Sequence, residues 1–296
     1  MSVIIGTRGS RLALAQTEKV INLLAGKGIS AKYVVINTQG DTTTTVPLHE
    51  IGGQGVFVRA LDDAILDGRI DCAVHSMKDI PAYRPSGLFT SAILERDSPS
   101  DFMAFTGSRS AVSVLGTSST RRRAQLLRHN PAYVVKDLRG NVDTRLRKLA
   151  DKNYDAIMLA EAGIERLGLS VRGERLDPAE FVPSPNQGTV AVVSRADPSL
   201  MELLSTIDHP ATRTDVMIER AVMFELGGGC FTPLGIFCRS GRLIAEVLSL
   251  DGKRTERIET QVSSIEEARE QGKALRARAQ DLIAEAYERL GITHGG

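Results

Sequence analysis

The segment VIIGTRGSRLALAQ, residues 3–16, returns in altered form as VSVLGTSSTRRRAQ at residues 112–125. Each copy is an apolar run rich in β-branched residues that ends in Gly-Thr, passes through serine and opens an arginine-bearing helix. Such a unit buries its apolar face only beneath a covering layer, so a chain that repeats it builds layered α/β domains with mostly parallel sheets. The repeat predicts two similarly built domains. In each, backbone N–H groups and hydroxyls collect at a helix N-terminus, a place suited to carboxylate or phosphate groups. A plainer reading makes Ser10 and Ser119 helix caps and nothing more; two copies facing one cleft favour a ligand. Neither copy is a GxxxxGK[ST] loop or a GxGxxG turn.

The surrounding pattern extends this frame. Strands are predicted at Ser2–Ile5, Ala31–Asn37, Ile70–Val74, Val112–Leu115, Tyr133–Leu138 and Ala156–Ala160, with helices at Arg11–Leu24, Phe57–Leu66, Thr120–Arg128 and Val142–Ala150. The polar stretch Glu95–Asp101 suits a linker, and the strand Thr189–Ser194 is expected to return to the first domain. A third region starts near Thr212 with a helix over Asp215–Leu226, a GGGC loop and strands at Pro233–Cys238, Leu243–Leu250 and Thr255–Val262. It ends in a helix opened by a capping box, Ser263 with Glu266, whose apolar stripe is Leu275, Ala279, Leu282, Ile283, Ala286 and Leu290. The predicted division is residues 1–95 with 189–211, residues 96–188, and residues 212–296, the last a small α+β domain.

Composition narrows the function. The 296 residues suffice for two or three domains, and 42% hydrophobic with 25% charged residues reads as an ordinary globular chain. A net charge of +1 gives no overall field toward nucleic acid or an anionic membrane. No apolar run approaches the roughly 20 residues that span a bilayer, and MSVIIGTRGS lacks the pattern of a signal peptide. Cys72, Cys230 and Cys238 are odd in number and outside CxxC spacing, which points to a reducing compartment. The five scattered histidines form no metal motif, so no metal is expected. Arginines outnumber lysines 28 to 9, and a planar fork that grips carboxylates at two points is one reason for such a choice.

Four segments carry chemistry. His75-Ser76-Met77-Lys78-Asp79-Ile80-Pro81 follows a buried strand, at the carboxyl end where open α/β sheets bind ligands. Polar groups bunched in such a turn are poor packing material, although His75 taken singly suits a hydrogen-bonded core position. Arg121, Arg122 and Arg123 open the repeat helix against its macrodipole, an unfavourable placement that a bound anion relieves. Leu138-Arg139-Gly140-Asn141-Val142-Asp143-Thr144-Arg145 adds two arginines after a strand. The aromatics of a nucleic-acid platform are missing, with Trp absent and aromatics at 4%. Cys230, in GGGCFTPLG, is either a buried structural thiol or a functional one, on a loop that brings backbone close to a bulky group.

Taken in order, GTRGSRLALAQ, GGQGVFVRAL, AVHSMKDIP, GTSSTRRRAQL, LRGNVDTRL, YDAIMLAEAGIERLGL and ERAVMFELGGGCFTPLG resemble the porphobilinogen deaminase family from residue 4 to about 239. The resemblance implies an α/β fold of two similar, periplasmic-binding-protein-like strand–helix domains enclosing the cleft, plus a smaller α+β C-terminal domain. It implies a cytoplasmic transferase that deaminates four porphobilinogen molecules and joins them head-to-tail on a covalent dipyrromethane primer, releasing hydroxymethylbilane. By the same resemblance Asp79 is the catalytic aspartate and Cys230 the thioether anchor. Cofactor contacts then fall to Ser76, Lys78, Thr117, Ser118, Ser119, Arg121, Arg122, Arg139, Arg145 and Gln187. Substrate contacts fall to Arg8, Ser10, Arg139, Arg145 and Arg166. The partner is the small molecule porphobilinogen, with no nucleic acid and no membrane, and monomer is the default state. Gln39, Glu50 and Gln54 depart from the basic residues common at those family positions, so the Thr42–Gly55 loop, read as a lid, carries fewer positive charges.

Two rivals are set against this reading. One is a non-enzymatic module whose arginine cleft captures a small dicarboxylate, with no covalent adduct. The other makes Cys230 a thiolate nucleophile in acyl transfer, which calls for a neighbouring cation or histidine.

Overall fold

The computed structural model describes residues 2–37, 58–227 and 232–289. The chain forms two compact units, Met1–Ser98 with Glu165–Gly168 and Gln187–Thr214, and Pro99–Ile164 with Leu169–Asn186 and Asp215–Gly296. In order, the elements are β1 (Val3–Thr7), α1 (Arg11–Ala25), β2 (Ala31–Val35), α2 (Arg59–Leu66), β3 (Cys72–Ser76), β4 (Leu88–Ile93) and β5 (Asp101–Phe105). There follow β6 (Val114–Gly116), α3 (Thr120–His129), β7 (Val134–Lys136), α4 (Val142–Ala150), β8 (Ala156–Ala160), α5 (Glu161–Arg166) and β9 (Gly173–Arg175). The chain ends with β10 (Val190–Arg195), α6 (Pro198–Ser205), α7 (Pro210–Glu225), β11 (Leu234–Arg239), β12 (Arg242–Leu248), β13 (Thr255–Gln261), α8 (Ile265–Arg278) and α9 (Gln280–Arg289).

The repeat in the sequence becomes a repeat in topology. The first unit's sheet has the order β2-β1-β3-β10-β4 and the second unit's has β7-β6-β8-β5-β9. In the first, β1 lies parallel to β2 and β3, while β10 runs antiparallel to both of its neighbours. In the second, β6 lies parallel to β7 and β8, while β5 is antiparallel to both of its neighbours. The odd strand stands at the same place in each sheet. It is supplied by a distant stretch of chain in the first unit and by the stretch preceding the repeat in the second. The expected return of the strand after residue 188 is thus seen as β10 beside β3.

Packing follows from side-chain periodicity. On α1, Ala13, Gln16, Thr17, Val20 and Leu24 form the buried face. Val20 and Leu24 join Val3, Ile5, Cys72, Val74 and Val192 in one core. In the second sheet, alternate residues serve opposite faces. Met103, Phe105, Ala156 and Met158 enter one cluster, and Ala104, Ile157 and Leu159 enter another. A sheet buried on both faces loses about 1.5–3 kcal/mol for each large aliphatic side chain left exposed instead.

Sequence and structure differ at several ends. Asp101, placed at the close of a polar linker, is the first residue of β5 and is 0% exposed. It is held there by Arg121 Nη1 and Arg122 Nη2, each at 2.6 Å. Strands β4, β5 and β9 and helices α5 and α6 have no counterpart in the predicted elements. The final capping box sits one residue later than expected. Ser264 caps α8 by accepting from the Glu267 N–H, and the Glu267 carboxylate accepts from the Ser263 N–H at 2.8 Å. The single long helix is two, α8 and α9, meeting at Ala279, with Leu275, Leu282, Ile283 and Ala286 buried as the stripe requires. Leu290 lies outside the described residues. Among those described, no helix is long and apolar enough to cross a membrane.

The Asp101 pairing makes a stability prediction. Burial by itself raises this carboxyl, but the charges and hydrogen bonds of Arg121 and Arg122 outweigh it and hold the group well below the usual carboxylate range. A depressed native pKa means that the contribution is complete above the unfolded value, about 3.9, and is lost as pH falls below it. Asp101→Asn keeps the shape and leaves two buried guanidiniums without their counter-ion. Urea unfolding at pH 7 should register a loss of about 3–5 kcal/mol, and a loss below about 1 kcal/mol would show the pair to be dispensable.

Candidate functional site

In the first unit the site begins where β3 stops. The pairing of β3 with β10 ends at Ser76 opposite Val190, and the Met77 N–H bonds to the Thr189 carbonyl. The chain then makes one 3-10 turn, Met77–Asp79, before Ile80 and Pro81. The turn leaves Asp79 exposed while Met77 is buried. Asp79 lines a hollow of about 60 Å³ together with Arg8, Ser10, Gln16, His75 and Ser76. The structure thus brings together four predicted site residues, Arg8, Ser10, Ser76 and Asp79, from two motifs far apart in sequence.

Hydrogen bonds fix Ser10, Gln16 and Ser76 in the lining and tie Lys78 and Arg166 to the turn at Gln187 and Gly188. Ser10 Oγ accepts from the Ala13 N–H and caps α1. Gln16 Nε2 donates to Ser76 Oγ at 2.8 Å. Lys78 Nζ donates to Gln187 Oε1 at 3.4 Å. Arg166 donates from Nε to Asp97 at 2.7 Å and from Nη2 to the Gly188 carbonyl at 2.6 Å. Gly188 has φ +86°, and a Cβ there would stand 2.6 Å from the Ser98 carbonyl, so the PNQG turn demands glycine. Asp97 also takes Lys19 Nζ at 2.6 Å. Lys78, Gln187 and Arg166 therefore sit along one bonded path, with Arg166 committed to Asp97 and the Gly188 backbone.

His75 is a core residue but not a satisfied one, since its buried Nε2 has no hydrogen-bond partner among the described residues. Burial, then the charges of Arg84 and Arg8, push it down to about 3. It is neutral near pH 7 and is no general acid. The Arg84–Asp62 ion pair beside it is almost wholly buried and had no sequence signal, since nothing in spacing links a helix aspartate to an arginine after a turn.

In the second unit the corresponding turn serves backbone and arginines. Thr117 is buried, and its Oγ1 accepts from the Ser119 N–H. Ser118 Oγ donates to the Leu138 carbonyl and accepts from the Leu138 N–H, both at 3.0 Å. Ser119 caps α3. Arg122 is bonded inside the protein at every nitrogen, with Nε and Nη2 to Asp101 and Nη1 to the Met158 carbonyl. Arg121 differs. Its Nη1 reaches Asp101 at 2.6 Å, Gln125 Oε1 at 2.9 Å and the Val182 carbonyl at 3.0 Å. Its Nε–Nη2 edge makes no hydrogen bond among the described residues, leaving the pair of parallel donors that fits a carboxylate. Arg145 Nε donates to the Gly140 carbonyl at 2.7 Å, and burial together with the Arg122 charge lowers its guanidinium to about 10. Arg139 is half-buried on the same turn, its carbonyl accepting from Lys148. Cys230 and residues 39, 50 and 54 lie outside the described residues.

Two like sheets, each with a serine-capped helix end, present an exposed carboxylate in the first unit and a cluster of guanidiniums in the second. Comparison with known proteins narrows the class. The profile described as "Porphobilinogen deaminase, dipyromethane cofactor binding domain" matches residues 3–202, and "Porphobilinogen deaminase, C-terminal domain" matches residues 213–281. A "Probable porphobilinogen deaminase" of Methanosarcina acetivorans is 50% identical over 288 residues, covering 92% of this chain and 91% of the relative. One of Archaeoglobus fulgidus is 43% identical over 286 residues, covering 93% and 98%. Among solved structures, a periplasmic substrate-binding protein of an ABC transporter from Coxiella burnetii is similar at TM-score 0.44 and 15% identity, over 71% of this chain and 94% of that one. The chain belongs to the porphobilinogen deaminase family.

Missed in the sequence were Gln16 and Gln125, each buried on its repeat helix and each bonded to a predicted site residue. The shared Ala-Gln that closes both copies was their signal. For His75, a native pKa far below the unfolded value of about 6.5 means that the unfolded chain takes up the proton first. Stability at this position is complete above pH 6.5 and falls by about 2 kcal/mol on going to pH 5. His75→Gln should remove that slope from urea unfolding curves across pH 5–6.5; an unchanged slope would place the titration elsewhere.

Proposed function

We propose that this chain deaminates four porphobilinogen molecules and couples them head-to-tail on a dipyrromethane primer held by Cys230, releasing hydroxymethylbilane. The observation that carries the reading is the hollow that sets the exposed Asp79 carboxylate beside Arg8 and the Ser10-capped end of α1. Porphobilinogen offers a ring N–H, an aminomethyl group and two carboxylates, and the hollow supplies an opposite for each kind. Asp79 accepts from the ring N–H and stabilises the positive charge that develops as ammonia leaves. Arg8 and the helix end receive carboxylates.

The dipyrromethane group fits the second set of residues. Its rings carry acetate and propionate arms, and Arg121 presents an open Nε–Nη2 edge beside Arg122 and Arg145, whose mutual repulsion a carboxylate relieves. When bound, the group supplies the primer end onto which substrate units are joined. We assign its arms to Ser76, Lys78, Thr117, Ser118, Ser119, Arg121, Arg122, Arg139, Arg145 and Gln187, with Arg122 contributing charge rather than a free donor. Arg139, Arg145 and Arg166 are also assigned to incoming substrate. Tethering through Cys230 makes each addition effectively intramolecular. The proposed organisation is three domains, 1–95 with 189–211, 96–188 and 212–296, acting as a cytoplasmic monomer on a small molecule, without nucleic acid or membrane.

Intact mass of the purified protein tests the tether. The expected excess equals two linked pyrrole units and disappears in Cys230→Ser; unmodified, active wild-type protein would sink the reading. Asp79→Ala should keep the adduct and lose roughly 100-fold or more in turnover, so near-normal rates would remove Asp79 from its role.

A further inference from the structure

Glu246 is 0% exposed in the middle of β12, where an apolar side chain would avoid the cost of burying a charge. It accepts from Gln125 Nε2 at 2.9 Å, from Arg128 Nη1 at 2.9 Å and Nη2 at 3.2 Å, and from Arg257 Nη1 at 3.0 Å. One carboxylate joins α3, β12 and β13. Gln125 passes the connection on. Its Oε1 accepts from Arg121 Nη1, and its Nε2 also donates, at 2.8 Å, to the Val182 carbonyl that takes the same Arg121 nitrogen.

The path then returns to the sheet. A Cβ on Gly235 would stand 2.6 Å from the Val182 carbonyl, and the Ile236 N–H bonds to the Pro183 carbonyl at 3.0 Å. Gly235 is the residue paired with Glu246 across β11 and β12. Glu246, Gln125, Val182 and Gly235 therefore close a ring, and Arg121 is bonded to two of its members. An amide held at both its oxygen and its nitrogen has one orientation, so Gln125 fixes which nitrogen of Arg121 is occupied and which edge stays open. β11 is also the strand into which the chain runs after Cys230. In the other copy of the repeat, Gln16 stands at the equivalent position on α1 and donates to Ser76.

We propose that Glu246, acting through Gln125, is a positioning residue that orients Arg121 toward a carboxylate of the dipyrromethane group and keys it to the strand following Cys230. The inference rests on the function proposed above. Arg121 is the group that touches the ligand; Gln125 and Glu246 act through it.

The test uses the full-length purified protein. Gln125→Met removes both arms of the amide at nearly constant volume. The fold, followed by circular dichroism and thermal melting, should persist, while the adduct-bearing fraction by intact mass falls at least about fivefold and kcat/KM of the loaded protein falls about tenfold to 100-fold. The isosteric Glu246→Gln should move both readouts in the same direction by less, and serves if Gln125→Met does not fold. The swap Gln125→Glu with Glu246→Gln keeps an acceptor for Arg121 and a bond between the two positions but loses the donor to the Val182 carbonyl, and should recover part of what Gln125→Met loses in both readouts. A folded Gln125→Met that loads and turns over like wild type overturns the positioning role, as does a swap that recovers neither readout. Wild-type protein without any adduct overturns instead the functional reading beneath it.

Discussion

One buried carboxylate, Asp101, organises the second unit. It faces Arg121 and Arg122, neighbours at the start of α3, where the helix dipole already disfavours positive charge. Two guanidiniums removed from water beside each other are costly unless a counter-ion is built in, and Asp101, at 0% exposure, is that ion. Because it is also the first residue of β5, the same contact fixes where the strand meets the helix. The remaining hydrogen-bond partners of the arginines are the carbonyls of Met158 and Val182 and the amide of Gln125, so the arginine turn is held by β5, β8 and the loop at Val182 before any ligand arrives.

The two sheets share an architecture and divide the chemistry. In the first copy of the repeat, the second and third helical positions are Leu12 and Ala13; in the second copy they are Arg121 and Arg122. The apolar pair leaves the first helix end to its capping serine and to Arg8, and places Asp79 alongside. The arginine pair turns the equivalent end of the second copy into a cationic site.

Much of this was legible in the sequence. The repeat foretold two like sheets, and the serines before both helices foretold caps. The resemblance assigned Asp79, Arg8 and Ser10 to one site, and they line one hollow because the ends of β1 and β3 meet at one edge of the sheet. What escaped had physical reasons. β5 begins with a buried aspartate, and only a partner twenty residues on makes such a residue a core residue, so DSPSD read as linker. β9 has three residues and α6 eight, too short for periodicity to speak. Nothing in the predicted strand Leu243–Leu250 marks Glu246 as buried, since its burial depends on Arg128 and Arg257, which no local pattern connects to it. The break at Ala279 left the apolar stripe intact, so the pattern could not distinguish one helix from two.

The exchanged strands bear on how the protein is made. β4 has β10 as its one neighbour in the sheet order, and nearly a hundred residues separate them in the chain. During synthesis the ribosome delivers β1, α1, β2, α2 and β3 first, and then β4 with no partner to dock against. At about 5–20 residues per second, that edge stays open for about 5–20 s. In the second sheet the wait is shorter, because β5 meets β8 about 50 residues later and β9 completes the order before β10 is made. A nascent chain will therefore close its arginine-bearing sheet while the sheet that carries Asp79 is still waiting for its fourth strand, and the latter is the half that a chaperone has reason to shield.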